Sequence, residues 1–362
     1  MTASPLRLRL DRDALVANWR TLAAMSGAAA CGAAVKANGY GLGAREVVRH
    51  LAEAGCCDFF VATWGEALVL ADAGVAVSVL HGVRDADMAV ALAASHARPV
   101  LNSMQQVRRW REAGGGACDV MVDTGMNRLG IAPADVAAGL LDGLQVETLM
   151  SHLASADEDV PLNGQQRDAF AALRGRTGAR RMSLANSAGI ALGEDYAFDL
   201  TRPGIALYGA APVPALAGRM RQVVMPEAQI LQRRLVPAGE GVGYNLTWTA
   251  PADTEVAIVN LGYADGYLRC FSGKGMAMAG GIPVPVIGRV SMDLTAVDVS
   301  AAPDLGEGDW LAFAYDLPAT SALSGLSQYE LLTGLGARFD RIWGKVRFRF
   351  SVAKGADAYH LG

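Results

Sequence analysis

From residue 11 to about residue 207, short apolar runs rich in alanine or β-branched residues alternate with longer stretches patterned for helices. Each pair reads as a strand followed by a helix, and repetition of that unit predicts a parallel sheet. Eight such runs lie near 32–35, 59–62, 77–80, 99–101, 120–122, 149–151, 182–184 and 199–201. Eight strands close a (β/α)8 barrel, and a segment of this length sits at the short end of that fold's range. A doubly wound sheet is the alternative.

After about Gln222 the texture changes to short alternating runs separated by glycine and proline turns, as at 256–261, 283–287, 294–299 and 310–314. Period-two alternation predicts half-buried strands. A helical segment at 328–335 interrupts them, and 345–352 alternates like a further strand. Leu6-Arg7-Leu8-Arg9-Leu10 alternates in the same way. The expected fold class is therefore α/β: a TIM-like barrel over 11–222, then a mostly β domain over 223–362 to which residues 1–10 add a strand.

The residues that follow the eight runs are Lys36, Thr63, His81, Asn102, Asp123, His152, Asn186 and Arg202, all polar. A barrel carries its reactive groups at the carboxyl ends of its strands, so these exits read as a ring around an active-site mouth. Loops are polar for other reasons too, and Thr63 and Asn102 fit that plainer reading.

Composition narrows the partners. With 52% hydrophobic and 19% charged residues the 362-residue chain can bury a sizeable core, and its net charge of −4 provides no basic field for nucleic acid or anionic lipid. No apolar stretch approaches the roughly 20 residues of a spanning helix, and the N-terminus lacks a secretory h-region, so a cytoplasmic location is expected. Cys31, Cys56, Cys57, Cys118 and Cys270 form no CxxC and have no histidine at ligand spacing, so reduced thiols and no metal site are expected.

Lys36 leaves a buried strand within Ala33-Ala34-Val35-Lys36-Ala37-Asn38-Gly39-Tyr40-Gly41-Leu42-Gly43. Desolvation lowers a lysine's pKa, which suits a nucleophile, a base or an amine that joins an aldehyde. Gly39, Gly41 and Gly43 also fall where a dinucleotide loop would lie. That fingerprint is GxGxxG, whereas these residues read GxGxG, and no acidic residue ends the following run.

The Lys36 segment resembles the pyridoxal-phosphate lysine motif of alanine racemases. Asp123-Thr124-Gly125-Met126-Asn127-Arg128-Leu129-Gly130, Ser151-His152-Leu153-Ala154-Ser155-Ala156-Asp157, Ala185-Asn186-Ser187-Ala188 and Arg202-Pro203-Gly204-Ile205-Ala206-Leu207-Tyr208-Gly209 follow in family order. Gly262-Tyr263-Ala264-Asp265-Gly266-Tyr267 and Gly288-Arg289-Val290-Ser291-Met292-Asp293 continue the series, so the resemblance runs to about Arg341.

The resemblance implies an isomerase that interconverts L-alanine and D-alanine for cell-wall peptidoglycan, with pyridoxal 5'-phosphate as cofactor. Lys36 is implied to carry the cofactor as an internal aldimine and, once released by substrate, to act as base on one face of the substrate's external aldimine, with Tyr263 serving the other face. Two groups are needed because one base that returns its own proton only exchanges it. A phenol is a poor base at neutral pH unless a nearby cation lowers its pKa. Arg202 is implied to face the pyridine nitrogen, with His152 beside it or bonded to it. Tyr40, Asn186, Ser187, Gly204 and Ile205 are implied to complete the cofactor site around its phosphate. Arg128 and Met292 are implied to meet the substrate. The family pattern also implies a homodimer in which the Tyr263 and Met292 loops reach the neighbouring subunit's barrel.

Departures from the pattern are local. Met121 stands where some relatives have a carbamylated lysine that orients the arginine corresponding to Arg128. An aromatic gate is sought near Ala337-Arg338-Phe339, and the tail from Gly344 has no assigned role. A racemase of broader substrate range and a non-catalytic pyridoxal-phosphate carrier are the alternatives. A decarboxylase would need a cysteine donor in the second domain, where Cys270 lacks the surrounding motif.

Overall fold

The computed structural model describes residues 4–346, so the expected strand at 345–352 lies, beyond Val346, outside the described residues. Two compact units divide them: Arg12–Val223 with Leu326–Gly334, and 4–11 with 224–325 and 335–346.

The first unit is a parallel barrel. Its strands are Ala33–Ala34, Asp58–Val61, Ala76–Val79, Ala97–Leu101, Cys118–Met121, Val146–Met150 and Arg181–Ser183, paired in that order. The eighth, Leu200–Thr201, pairs in parallel with Ala30–Cys31, while Asp199 donates its N–H to Met182 O at 3.0 Å. The first strand thus comes in two pieces split at Gly32, one facing the last strand and one facing the second. Gly32 has a steric reason. A Cβ there would lie 2.8 Å from Asp58 O and 2.9 Å from the Phe60 ring, closer than packed atoms approach.

The helices between strands follow the apolar spacing. Ala44–Glu53 buries Ala44, Val47, Val48 and Leu51, a stripe at three- and four-residue intervals. Thr63 and Ser103 accept the N–H of Glu66 and Gln106 and so cap Trp64–Val69 and Met104–Glu112.

The second unit is a sheet built around Val224–Val236. One half of this 13-residue strand pairs with Leu6–Asp11 and Trp310–Phe313, and the other half, past an irregularity between Ile230 and Gln232, pairs with Thr254–Val259. Thr295–Asp298, Ile282–Ile287 and Met276–Ala279 complete the circuit back to Trp310–Phe313. Leu6, Leu8 and Leu10 are fully buried, as the alternation of the first strand requires. Asp340–Gly344 adds a parallel edge strand against Leu6–Asp11. No helix among the described residues is long and apolar enough to cross a membrane.

Candidate active site

The strand exits of the barrel surround a cavity of about 440 Å³. Lys36, His81, Asn102, His152, Asn186 and Arg202 line it. Two of the expected ring members are elsewhere. Thr63 caps its helix, and Asp123 accepts the N–H groups of Gly125, Met126 and Arg128 at 2.9, 2.8 and 3.0 Å, which shapes the loop that carries Arg128 to the cavity. Although burial works against it, these N–H groups hold the Asp123 carboxyl below its ordinary pKa.

Lys36 is half-buried, and burial lowers its amine's pKa, with the Arg128 charge adding to the effect and Glu66 opposing it. It precedes an unusual turn. Ala37, Asn38, Gly39 and Tyr40 have φ of 52°, 54°, 63° and 53°, a left-handed run in which only one residue is glycine. Each non-glycine residue there costs about 1–2 kcal/mol. Gly39 N–H to Val35 O at 2.8 Å, Gly41 N–H to Ala37 O at 2.9 Å and Ala44 N–H to Asn38 Oδ1 at 3.0 Å hold the turn closed.

That turn sends Tyr40 inward, stacked on Tyr208 with ring centroids 4.7 Å apart. Its hydroxyl lies so close to Gly204 that a Cβ on that residue would collide with it. Ser187 Oγ accepts the N–H of Gly204 at 2.9 Å and of Ala206 at 3.3 Å, and Asn186 Oδ1 accepts the N–H of Gly189 at 2.8 Å. Two hydroxyls and the backbone of Gly204 and Ile205 therefore line the cavity together. This set is the donor chemistry that a phosphate needs, and it lies after the seventh and eighth strands of the barrel.

Arg202 is buried, and its guanidinium donates to Ser183 Oγ and to the carbonyls of Ser151 and Leu184. Burial brings it down to about 10, partly offset by the Asp119 carboxylate, so it remains a charged donor at neutral pH. His152 is pushed down to about 3 by burial first and then by the charges of Arg202, Arg128 and Lys36, so it stays neutral.

Tyr263 and Met292 belong to the other unit, where they lie together. Tyr263 donates its N–H to Ser291 O and Ala264 donates to Met292 O, both at 3.0 Å. A Cβ on Gly262 would collide with Met292 O, so the two loops cross only because that residue is glycine. Arg338 ties both loops, donating to Asp265 Oδ1 at 2.6 Å and to Asp293 Oδ1 at 2.7 Å. The Arg269 guanidinium stands 5.1 Å over the Tyr263 ring, and Met292 is 54% exposed.

Two features escaped the sequence reading. The first is Tyr329, on helix Gln328–Thr333, which joins Tyr40 and Phe60 in the cavity wall, whereas Phe339 is buried in the other unit. The Ser327-to-Glu330 capping box marks that helix start and was the available signal. The second is Glu66, whose carboxylate reaches the Lys36 turn.

A lysine, a hydroxyl-and-amide cradle and a buried guanidinium around one barrel mouth define a cofactor-dependent barrel enzyme. Its lineage follows from comparison. The family model for the alanine racemase N-terminal domain matches residues 10–212, and that for the C-terminal domain matches 223–343. Alanine racemase from Acidiphilium cryptum is 42% identical over 350 residues, spanning 92% of this chain and 98% of its own length. The enzyme from Rhodospirillum rubrum is 43% identical, spanning 94% and 96%. The crystal structure of alanine racemase from Bartonella henselae, with covalently bound pyridoxal phosphate, superposes with a TM-score of 0.84 at 34% identity, covering 94% of this chain and all of that one. The chain belongs to the alanine racemase family.

Proposed function

We propose that this protein is a pyridoxal-phosphate-dependent alanine racemase that moves a proton between Lys36 and Tyr263 across the two faces of the substrate α-carbon. The observation that carries the reading is the cavity itself: an amine lowered in pKa by burial faces the same space as the Tyr40, Ser187 and Gly204 cradle. When bound, pyridoxal phosphate supplies an aldehyde that joins an amine and a ring that draws electrons from the α-carbon.

The chain's residues do the rest. Lys36 holds the cofactor's aldehyde carbon. Tyr40, Ser187 and the N–H groups of Gly204 and Ile205 hold its phosphate, with Asn186 fixing the Ser187 turn. Arg202 presents N–H to the ring nitrogen and, remaining charged, gives up no proton to it. That keeps electron withdrawal weak and favours return of the proton to carbon over side reactions. Neutral His152 adds no further charge among Arg202, Arg128 and Lys36. Arg128 meets the substrate carboxylate. Lys36 takes the proton from one face of the α-carbon, and Tyr263, with the Arg269 guanidinium over its ring, gives or takes it on the opposite face.

Racemisation needs both faces, so we assign the protein to a homodimer whose sites pair one subunit's Lys36 with the partner's Tyr263 and Met292. The exposed Met292, tied through its backbone to the Tyr263 loop, supports this arrangement. The test is borohydride reduction and peptide mapping, paired with chiral analysis of L-alanine, L-serine and L-lysine. A cofactor adduct on Lys36 and fastest inversion of alanine are expected. An adduct with no inversion would identify a carrier, and faster inversion of lysine would identify a racemase of broader range.

A further inference from the structure

Glu66 does not line the cavity, yet its carboxylate grips the backbone on which Lys36 is mounted. Oε1 accepts the N–H of Ala37, the residue directly after Lys36, at 2.7 Å. Oε2 accepts the N–H of Ala62 at 2.7 Å and of Thr63 at 3.3 Å. The second oxygen is explained by helix capping, because Thr63 Oγ1 accepts the Glu66 N–H in return at 3.3 Å. The first is not. A capping box needs only the bond to its own N-cap, and here the remaining oxygen crosses from the second strand's exit to the first.

The recipient is the residue that opens the left-handed run, with φ of 52°. A strained turn persists only where its surroundings hold it. Downstream, the bonds from Gly41 and Ala44 close the turn on itself, while at Ala37 N–H the holding group is Glu66 from the neighbouring element. Glu66 is also the anion that opposes burial and Arg128 at the Lys36 amine.

Resting on the role given to Lys36 above, we infer that Glu66 is a positioning residue for Lys36: by binding the Ala37 N–H from the adjacent strand exit it fixes the turn that carries the lysine, so the amine returns to one place in every turnover. Both oxygens are acceptors. A glutamine offers only one and turns its amide N–H toward a backbone N–H, and an aspartate is one methylene shorter.

The test compares holoenzymes of the unaltered protein, Glu66→Gln, Glu66→Ala and Thr63→Ala. Measured are kcat and KM for both alanine enantiomers, the rate at which hydroxylamine strips the cofactor from Lys36, and the melting temperature. In both Glu66 variants kcat is expected to fall at least about tenfold, because small misplacements of a reacting group are costly. KM should stay within roughly twofold, since substrate contacts are untouched. Hydroxylamine should strip the cofactor several-fold faster, by roughly three to ten times, as the lysine's mounting loosens. Thr63→Ala, which removes only the reciprocal cap, should melt lower with kcat and the hydroxylamine rate unchanged. Glu66→Ala with unaltered kcat and hydroxylamine rate overturns the proposal, as do losses that Thr63→Ala reproduces. If borohydride leaves no adduct on Lys36 in the unaltered protein, the role of Lys36 itself is wrong, and this inference falls with it.

Discussion

Burial first, and then the charges of Arg202, Arg128 and Lys36, make a second proton on the His152 ring costly. Its ordinary pKa of 6.5 falls to about 3. The sign follows: below 6.5 the unfolded chain binds a proton that the folded ring refuses, so this residue withdraws stability as pH falls from 6.5 toward 3 and contributes no pH dependence above that window. Nitrogen-resolved NMR of the holoenzyme should find the His152 imidazole neutral at pH 5, and a ring that titrates near 6.5 would contradict its placement. At this scale the sequence was informative about identity and poor about environment. Lys36, His152 and Arg202 were visible as polar exits from apolar runs, because barrel geometry sends such exits to one mouth. That Thr63 and Asp123 bond their own loops instead was hidden, since a polar side chain's partner is a matter of distance and not of order along the chain.

Between elements, the cradle proposed for the phosphate depends on how closely two loops approach. Gly204 and Tyr40 come from the last and first strand exits, and the hydroxyl of one occupies the space where a Cβ of the other would stand. Gly204→Ala should therefore strain the cradle by about 1–3 kcal/mol and weaken retention of pyridoxal phosphate on dialysis by roughly tenfold or more. Gly178→Ala, where a Cβ meets nothing within 4 Å, is the matched control and should retain cofactor normally. Equal retention by both variants would exclude the cradle. The eight barrel runs were legible because parallel strands are apolar almost throughout. The split at Gly32 was not, because it answers to Asp58 O and Phe60 on a neighbouring strand. Asp340–Gly344 was equally hidden: with Asp340, Arg341 and Gly344 among its five residues, it is a strand by virtue of the edge it joins. Helix Gln328–Thr333 was visible by period, but not that it groups with the barrel and carries Tyr329 to its cavity.

For the whole molecule, the two units divide the chemistry. The barrel holds Lys36, the cluster of Tyr40, Ser187 and Gly204, and Arg202, and the β unit holds Tyr263, Met292 and the Arg338 tie between their loops. Apolar periodicity exposed the change of texture near Gln222, because parallel and antiparallel sheets bury different faces. It carries no information about whether the proposed dimer shares its sites, since a second copy of the chain leaves no mark on the sequence of the first. Subunit mixing addresses that division directly. The Lys36→Ala and Tyr263→Phe proteins, each prepared separately, should be inactive in alanine inversion. After dissociation and random reassociation, half the dimers are mixed, and each contains one site with both Lys36 and Tyr263 intact. About a quarter of the unaltered activity should return. A mixture as inactive as its parents would contradict the shared site, and full activity in either parent alone would contradict the pairing of amine and phenol on which the proposed reaction rests.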